Sequence, residues 1–211
     1  MFTVYLYIFD TMADWKIGHA VSELGSRRFF KADAPEVSFK TVGLSAEPVK
    51  TMGGLRVIPD GVIGDVAVNA QSVLLLPGGN TWEDPKHGPA IQKAAELLDA
   101  GGAVCAICGA TAALAHAGLL DRRRHTSNGA GFLEAFCPGY QGTAHYVDEP
   151  AAADGGLITA GAHGALQWAR EILAYLGVFR ADTLEEWYAY FRTGEARHFY
   201  AMMQTLPSGG R

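Results

Sequence analysis

AVCAICGATAAL, residues 103–114, changes pattern at Cys108. The apolar residues before this cysteine follow Gly101-Gly102, and their number and the flanking glycines are typical of a buried strand. From Gly109 onward most residues are alanine or leucine, which are good helix formers. The stretch therefore predicts a strand, a sharp turn at Cys108 and a helix.

A cysteine at such a turn is well placed for chemistry. The free N–H groups and the positive end of the following helix favour a thiolate there. The small residues Gly109 and Ala110 permit a crowded turn. This pattern indicates a nucleophile elbow with Cys in place of Ser. The alternative is a buried core cysteine, because strand–Gly–helix joints are common in α/β folds.

Length and composition favour one domain that spans residues 1–211. Hydrophobic residues make up 49% and charged residues 18% of the chain, which is typical of globular proteins. The net charge of -5 argues against a nucleic-acid-binding face, and we interpret Arg122-Arg123-Arg124 as cations at a helix C-terminus. Asp10 interrupts the apolar first residues, so we expect neither a signal peptide nor a membrane span. Three cysteines suit a reducing compartment, and we expect a cytoplasmic protein.

Further apolar runs predict the other strands of a mainly parallel sheet and the helices that cover it. The predicted strands are Thr3–Phe9, Phe29–Lys31, Val37–Leu44, Val73–Leu76 and Leu157–Thr159, and His145 and Tyr146 begin another. The predicted helices are Asp14–Leu24, Ile91–Ala100, Gly129–Phe136 and Leu166–Leu176, with a helical extension over 183–206. Gly53-Gly54 separate two short strands, Val49–Met52 and Leu55–Ile58, as in a hairpin.

Loops of small or polar residues follow four of these strands. In an open parallel sheet such loops meet at one edge, where ligands bind, so we expect Cys108 to lie among the loops after Phe9, Leu76, Ile107 and Thr159. The loop Pro77-Gly78-Gly79-Asn80 lets the backbone approach a neighbour closely. It has the spacing of neither a phosphate-binding nor a dinucleotide-binding loop, and we expect no cofactor.

The cysteines predict neither a redox pair nor a metal site. A thioredoxin-type pair needs both sulfurs at an exposed helix start, whereas Cys105 falls within the predicted strand. Cys137 and His116 lack the spacing of metal ligands. We therefore interpret Cys105 as a core residue and expect no metal.

Five segments, taken in order, resemble the ThiJ/PfpI (DJ-one/PfpI) family of the class I glutamine amidotransferase-like superfamily. The segments are FDTMADWK (9–16), LLLPGGN (74–80), AICGATAALAHAGLL (106–120), RRRHTSN (122–128) and DGGLITAGAHGALQWAREIL (154–173). The resemblance spans about Thr3 to Gly177. It implies a flavodoxin-like three-layer α/β/α sandwich with a mainly parallel sheet, a β-hairpin and Cys108 on the nucleophile elbow.

The resemblance also implies a site around Cys108. The backbone N–H near Gly79, in the loop that begins at Gly78, would join that of Gly109 in an oxyanion hole. His163 lies in a loop that the family places beside the nucleophile, so it is a candidate for the same pocket.

Two positions depart from the family pattern. Lys16 stands where the family has a Glu that hydrogen-bonds the thiol, and the nearest carboxylate, Asp14, is better interpreted as an acid at a helix start. Asn128 stands where many relatives have a His, and an amide cannot take a proton at neutral pH. His125, three residues earlier, is the alternative base, although each step along a strand turns the side chain to the other face.

Two functions follow from these observations. The first is a cysteine hydrolase that attacks an acyl or carbonyl carbon of a peptide or small-molecule substrate, with peptidase, amidase, glyoxalase or deglycase chemistry implied by the family. The second is a redox-responsive, stress-related binding protein that keeps Cys108 without acid–base partners. The family and the aromatic stripe of Trp187, Tyr188 and Phe191 predict a homodimer, with no nucleic-acid or membrane partner.

Overall fold

The computed structural model describes residues 1–206, which form a seven-stranded sheet and a separate two-stranded hairpin. The strands are β1 (Phe2–Tyr7), β2 (Val37–Gly43), β3 (Val49–Lys50), β4 (Arg56–Val57), β5 (Gly61–Val62), β6 (Ser72–Leu76), β7 (Ala103–Ile107), β8 (Ala151–Asp154) and β9 (Leu157–Ala160). The helices are α1 (Asp14–Ser26), α2 (Gly88–Asp99), α3 (Gly109–His116), α4 (Phe132–Phe136), α5 (Ala165–Leu176), α6 (Ala181–Thr193) and α7 (Ala196–Thr205).

The main sheet has the order β5-β2-β1-β6-β7-β9-β8, and only the β8–β9 pair is antiparallel. The chain winds from β1 through α1 to β2 in one direction and from β6 through α2 to β7 in the other. Because such crossovers are right-handed, α1 and α2 cover opposite faces of the sheet. This is the predicted flavodoxin-like α/β/α sandwich. The direction changes between β1 and β6, and a crevice for ligands forms at such a point.

Burial on both faces explains the apolar central strands. Every residue of β6, β7 and β9 is buried, as expected for parallel strands that helices cover on both sides. The register pairs Leu76 with Ala106 and Ile107 with Ala160, so the carboxyl ends of these strands lie at one edge. The predicted convergence of loops at that edge is confirmed.

The predicted hairpin is present but shorter than expected. It pairs Val49 with Val57 and Lys50 with Arg56 around a turn in which Gly54 has a φ of 88°. The loop between β1 and α1 holds it in place: the Lys50 N–H donates to Asp10 Oδ1 at 2.7 Å, and the Lys50 carbonyl accepts from the Thr11 N–H at 2.9 Å. The hairpin is therefore bonded to the loop that precedes α1, the helix that carries Lys16.

Three predicted elements are wrong in type or extent. Phe29–Lys31 is a turn rather than a strand, because Phe29 packs on Phe179 instead of pairing. His145 ends a 3-10 turn over Thr143–His145, and Tyr146 makes a single bridge to His125. The helix predicted from Gly129 begins at Phe132, after glycines with positive φ. Two short strands, β5 and β8, were not predicted.

The C-terminal extension forms α6 and α7, which pack on the body of the domain. Trp187 is fully buried, and its Nε1–H donates to the buried carboxylate of Glu23 at 3.0 Å. Arg28 pairs with the same carboxylate. Trp187 is thus anchored within its own chain, whereas Phe191 is 39% exposed, and the homodimer stays a prediction. Within residues 1–206 no helix combines the length and the apolar character that crossing a bilayer requires.

Candidate active site

Cys108 lies on a strained turn between β7 and α3. Its φ of 60° and ψ of -125° fall in a region that residues with a side chain rarely adopt, at a cost of about 1–3 kcal/mol. Its N–H donates to the Ala160 carbonyl at 2.9 Å, so β9 helps to hold the turn. The thiol is half-buried at the start of α3. This geometry matches the predicted elbow.

Two hydroxyl groups form hydrogen bonds that stabilise the turn at Cys108. The Thr111 hydroxyl donates to the Cys108 carbonyl at 2.6 Å, and its oxygen lies 2.6 Å from Ser127 Oγ. Because the Thr111 proton is used on the carbonyl, Ser127 is the donor of the second bond. Ser127 was missed in the sequence, where it lies between the two candidate bases and has no pattern of its own.

The two glycines after β6, Gly78 and Gly79, lie where neighbouring atoms leave no room for a side chain. A Cβ on Gly78 would lie 2.7 Å from Lys16 Nζ and 2.9 Å from Cys108 Cβ. A Cβ on Gly79 would lie 2.5 Å from the Phe9 ring and 3.2 Å from the Met12 backbone. Only glycine lets this loop approach the cysteine so closely.

Two backbone amides are available beside Cys108. Within residues 1–206 the N–H groups of Gly79 and Gly109 donate to no acceptor. The two glycines face each other, since a Cβ on Gly109 would lie 3.3 Å from the Gly79 carbonyl oxygen. Paired free amides next to a nucleophile can hold an oxyanion.

Lys16 brings a charged group close to Cys108. The lysine is 5% exposed, and its Nζ and Cys108 Cβ both contact the space above Gly78. Lys16 Nζ and Cys108 Cβ lie 2.7 Å and 2.9 Å from the position that a Gly78 Cβ would take, so these two atoms are close neighbours. The described residues place no carboxylate within ion-pair distance of Lys16. Its nearest aromatic partner is Trp15, whose ring centre lies 5.2 Å from Nζ. A thiolate at Cys108 would give this ammonium a negatively charged partner.

Asp14 has a structural partner instead. Its Oδ2 accepts from the Gly53 N–H at 2.6 Å, which ties α1 to the hairpin. Burial raises the pKa of Asp14, but the hydrogen bonds from Thr51 and Gly53 outweigh it and leave the pKa below its ordinary value. The carboxylate is thus ionised and directed at the hairpin turn, not at Cys108.

The structure separates the two candidate bases. His125 is fully buried, with Nδ1 2.6 Å from the Arg123 carbonyl and Nε2 2.6 Å from the Tyr140 hydroxyl. A carbonyl only accepts, so Nδ1 carries the proton and Nε2 accepts from Tyr140. With both nitrogens occupied, His125 is not free to act as the base for Cys108, contrary to the interpretation that gave it that role.

The other two candidates meet at the loop after β9, which contains His163 and is bonded by Asn128. Asn128 Oδ1 accepts from the Ala162 N–H at 2.9 Å, so the amide at the family's His position orders this loop. His163 is exposed, and its ring lies beside Gly161. The structure therefore brings Lys16, Gly78, Gly79 and Gly109 to Cys108, while His163 lies in the loop after β9 and Asn128 hydrogen-bonds that loop.

Burial of His125 predicts a pH-dependent stability. Burial lowers the pKa of His125 and outweighs the bond to the Arg123 carbonyl. A depressed folded pKa means that the stabilising contribution is complete above the unfolded value of about 6.5 and is lost as pH falls toward the folded value. In urea unfolding, His125→Phe should have a lower free energy of unfolding than the wild type at pH 7. Below pH 6.5 the wild type should lose more free energy of unfolding than the variant, by up to about 1.4 kcal/mol per pH unit. Parallel slopes for the two proteins would contradict this.

Sequence and structure comparisons identify proteins that this chain resembles. Residues 2–175 match the DJ-1/PfpI family. A Bacillus subtilis (strain 168) protein named "Uncharacterized protease YoaZ" is 41% identical over 203 residues, which cover 96% of this chain and 97% of that protein. The crystal structure of a thiJ/pfpI family protein from Bacillus anthracis superposes with a TM-score of 0.94 at 39% identity and covers 98% of both chains.

A third relative carries a different activity in its name. The "Glutathione-independent glyoxalase DJR-1.2" of Caenorhabditis elegans is 34% identical over 82 residues, which cover 38% of this chain and 44% of that protein. The family match includes β1, the glycine loop after β6, the elbow and α5. The chain belongs to the DJ-1/PfpI family.

Proposed function

We propose that this protein is a cysteine hydrolase of peptide or amide bonds, with Cys108 as its nucleophile. The observation that carries the proposal is the position of the Lys16 ammonium, which lies against Gly78 and Cys108 without a carboxylate partner in the described residues. An ammonium there favours the thiolate, as does the N-terminus of α3. The same ammonium can later supply a proton.

The first half of the reaction forms a thioester. The Cys108 thiolate attacks the carbonyl carbon, a C–S bond forms, and the carbonyl electron pair moves to oxygen, where the amides of Gly79 and Gly109 hold the oxyanion. When the tetrahedral intermediate collapses, the C–N bond breaks and the leaving nitrogen takes a proton from Lys16. The amine departs and Lys16 is neutral.

The second half restores the enzyme. Water attacks the thioester carbonyl, one of its protons passes to neutral Lys16, and the C–S bond breaks to release the acid and the thiolate. In this scheme Lys16 performs the acid–base work that relatives assign to a Glu and a His. The protease and glyoxalase names of the relatives both refer to chemistry at a carbonyl carbon, which supports this class of substrate.

The second candidate is a redox-responsive binding protein. Two observations favour it: both nitrogens of His125 are occupied away from the elbow, and Asn128 is engaged with the Ala162 N–H. In that case Cys108 would react with electrophiles or oxidants without turning over a substrate.

Substitution of Cys108 separates the two candidates. The wild type should hydrolyse peptidyl-coumarin amides, and Cys108→Ser should lower kcat/KM by at least about 10³-fold. Cys137→Ala is the matched control, because the Cys137 thiol is buried and donates to the Ala112 carbonyl. It should keep most of the activity. If the wild type turns over none of these substrates while iodoacetamide still labels Cys108, the hydrolase is wrong and the binding protein is favoured.

A further inference from the structure

A pocket of about 240 Å³ begins at the two glycines that carry the free amides, Gly79 and Gly109. One face of α3 forms its floor, the loop after β6 forms one wall and α4 forms the other. Besides the glycines, its main lining residues are Trp82, Glu83, Ala112, Ala113, Phe132 and Phe136.

Side-chain size along α3 creates this space. Gly109, Ala112, Ala113 and His116 have the spacing i, i+3, i+4, i+7 and therefore share one helix face. The first three are small, so the face is hollow near Cys108 and fills only at His116. The pocket thus lies over the first two turns of α3, directly after Cys108.

Aromatic rings make the walls apolar. Trp82 is 9% exposed and is fixed by its Nε1–H, which donates to the Pro77 carbonyl at 2.8 Å. Opposite it, Phe132 and Phe136 pack on each other with ring centres 4.8 Å apart. Phe136 remains 59% exposed although it faces the pocket. A rigid ring on one side and exposed rings on the other favour a bulky apolar group between them.

The space continues beyond the first pocket. A second pocket of about 430 Å³ shares Trp82, Glu83, Ala113 and His116 with the first and extends to Ile91. We refer to the two together as the α3 groove. It leads away from the elbow, and Lys16 lines neither pocket.

We infer that the α3 groove binds the acyl side of an extended peptide substrate, with a bulky apolar side chain next to the reacting carbonyl. This inference rests on the proposed function. A carbonyl held by Gly79 and Gly109 places its own acyl substituent at the mouth of the first pocket, and the leaving nitrogen must face its proton donor, Lys16.

Pocket size and charge narrow the substrate class. The first pocket has a volume of about 240 Å³, so a three-carbon dicarbonyl would fill only part of it. A phenylalanine or leucine side chain would fill more of it and remove apolar area from water. Glu83 is exposed at the rim and has no ion-pair partner in residues 1–206, so an acidic side chain is disfavoured there.

Labelling of Cys108 by chloromethyl ketones tests the groove without requiring turnover. The thiolate displaces chloride and forms a C–S bond, so the rate, followed by intact mass, reports how well each acyl group is held. Acetyl-Phe-chloromethyl ketone should label wild type at least about tenfold faster than acetyl-Gly-chloromethyl ketone, and the Asp probe should be no faster than the Gly probe.

Two variants localise the preference. Ala112→Trp fills the first pocket and should abolish the preference for the Phe probe over the Gly probe. Ala135→Trp, on the exposed side of α4, is the matched control and should keep the preference. If Ala112→Trp does not fold, Phe136→Ala removes an exposed ring and should reduce the preference about threefold.

The outcomes also separate this inference from the proposed function. If the Gly and Phe probes label the wild type equally fast while iodoacetamide still reacts with Cys108, the α3 groove does not bind the apolar side chain. This conclusion holds even if amides are hydrolysed. A preference that Ala112→Trp leaves unchanged overturns the α3 groove as well. A preference that Ala112→Trp abolishes supports the groove even if no amide is turned over, in which case only the hydrolase is wrong.

Discussion

Replacing Gly79 with alanine is expected to lower kcat/KM by about 10²–10³-fold, the size of effect seen when an oxyanion-hole donor is lost. The new Cβ would lie 2.5 Å from the Phe9 ring and 3.2 Å from the Met12 backbone. Phe9 cannot yield freely, because it packs between Trp82 at 5.2 Å and His87 at 4.8 Å. The loop must therefore move, and the Gly79 amide moves with it.

The same substitution should reduce stability by about 1–3 kcal/mol, as overpacking of a dense core does. Gly18→Ala is the matched control, since Gly18 is an exposed residue of α1 with nothing within 4 Å of a new Cβ. It should leave kcat/KM unchanged and raise the free energy of unfolding by about 0.5–1 kcal/mol. Wild-type kinetics in Gly79→Ala would show that this amide has no part in the reaction.

The sequence predicted the architecture because the central strands are buried on both faces. Runs such as Val73–Leu76 and Ala103–Ile107 are apolar throughout, and glycine-containing loops mark where the strands end. Parallel pairing then brings those ends to one edge without further information. The elbow, the glycine loop and the position of Lys16 follow from that topology.

What the sequence could not supply was the direction of individual side chains. His125 and Ser127 belong to one segment, yet the ring of His125 is directed at Tyr140 whereas the hydroxyl of Ser127 reaches Thr111 under the elbow. The polar partners that decide these directions are distant in sequence. The strand β8, with the sequence AAAD, likewise forms because β9 offers it an edge, not because of its own propensity.

Lys16→Met is expected to slow both the labelling of Cys108 and the hydrolysis of substrate. Loss of the ammonium removes a positive charge next to the thiolate, and alkylation by iodoacetamide at pH 7 should fall about tenfold, equivalent to roughly 1.4 kcal/mol. Hydrolysis should fall further, by about 10²–10⁴-fold, because the leaving nitrogen also loses its proton donor. Stability should not decrease, since methionine occupies the same buried channel without a charge to desolvate.

Lys16→Arg separates the effect of the positive charge on Cys108 from the donation of a proton to the leaving nitrogen. A guanidinium keeps the positive charge but does not give up a proton near neutral pH, so alkylation should remain within a few-fold of wild type while hydrolysis stays as low as in Lys16→Met. Lys40→Met, at an exposed position of β2, is the control for loss of one lysine and should change neither rate. If Lys16→Met alkylates as fast as wild type, the ammonium does not activate Cys108. If Lys16→Arg hydrolyses substrate at the wild-type rate, charge alone is sufficient and the leaving group obtains its proton from another donor.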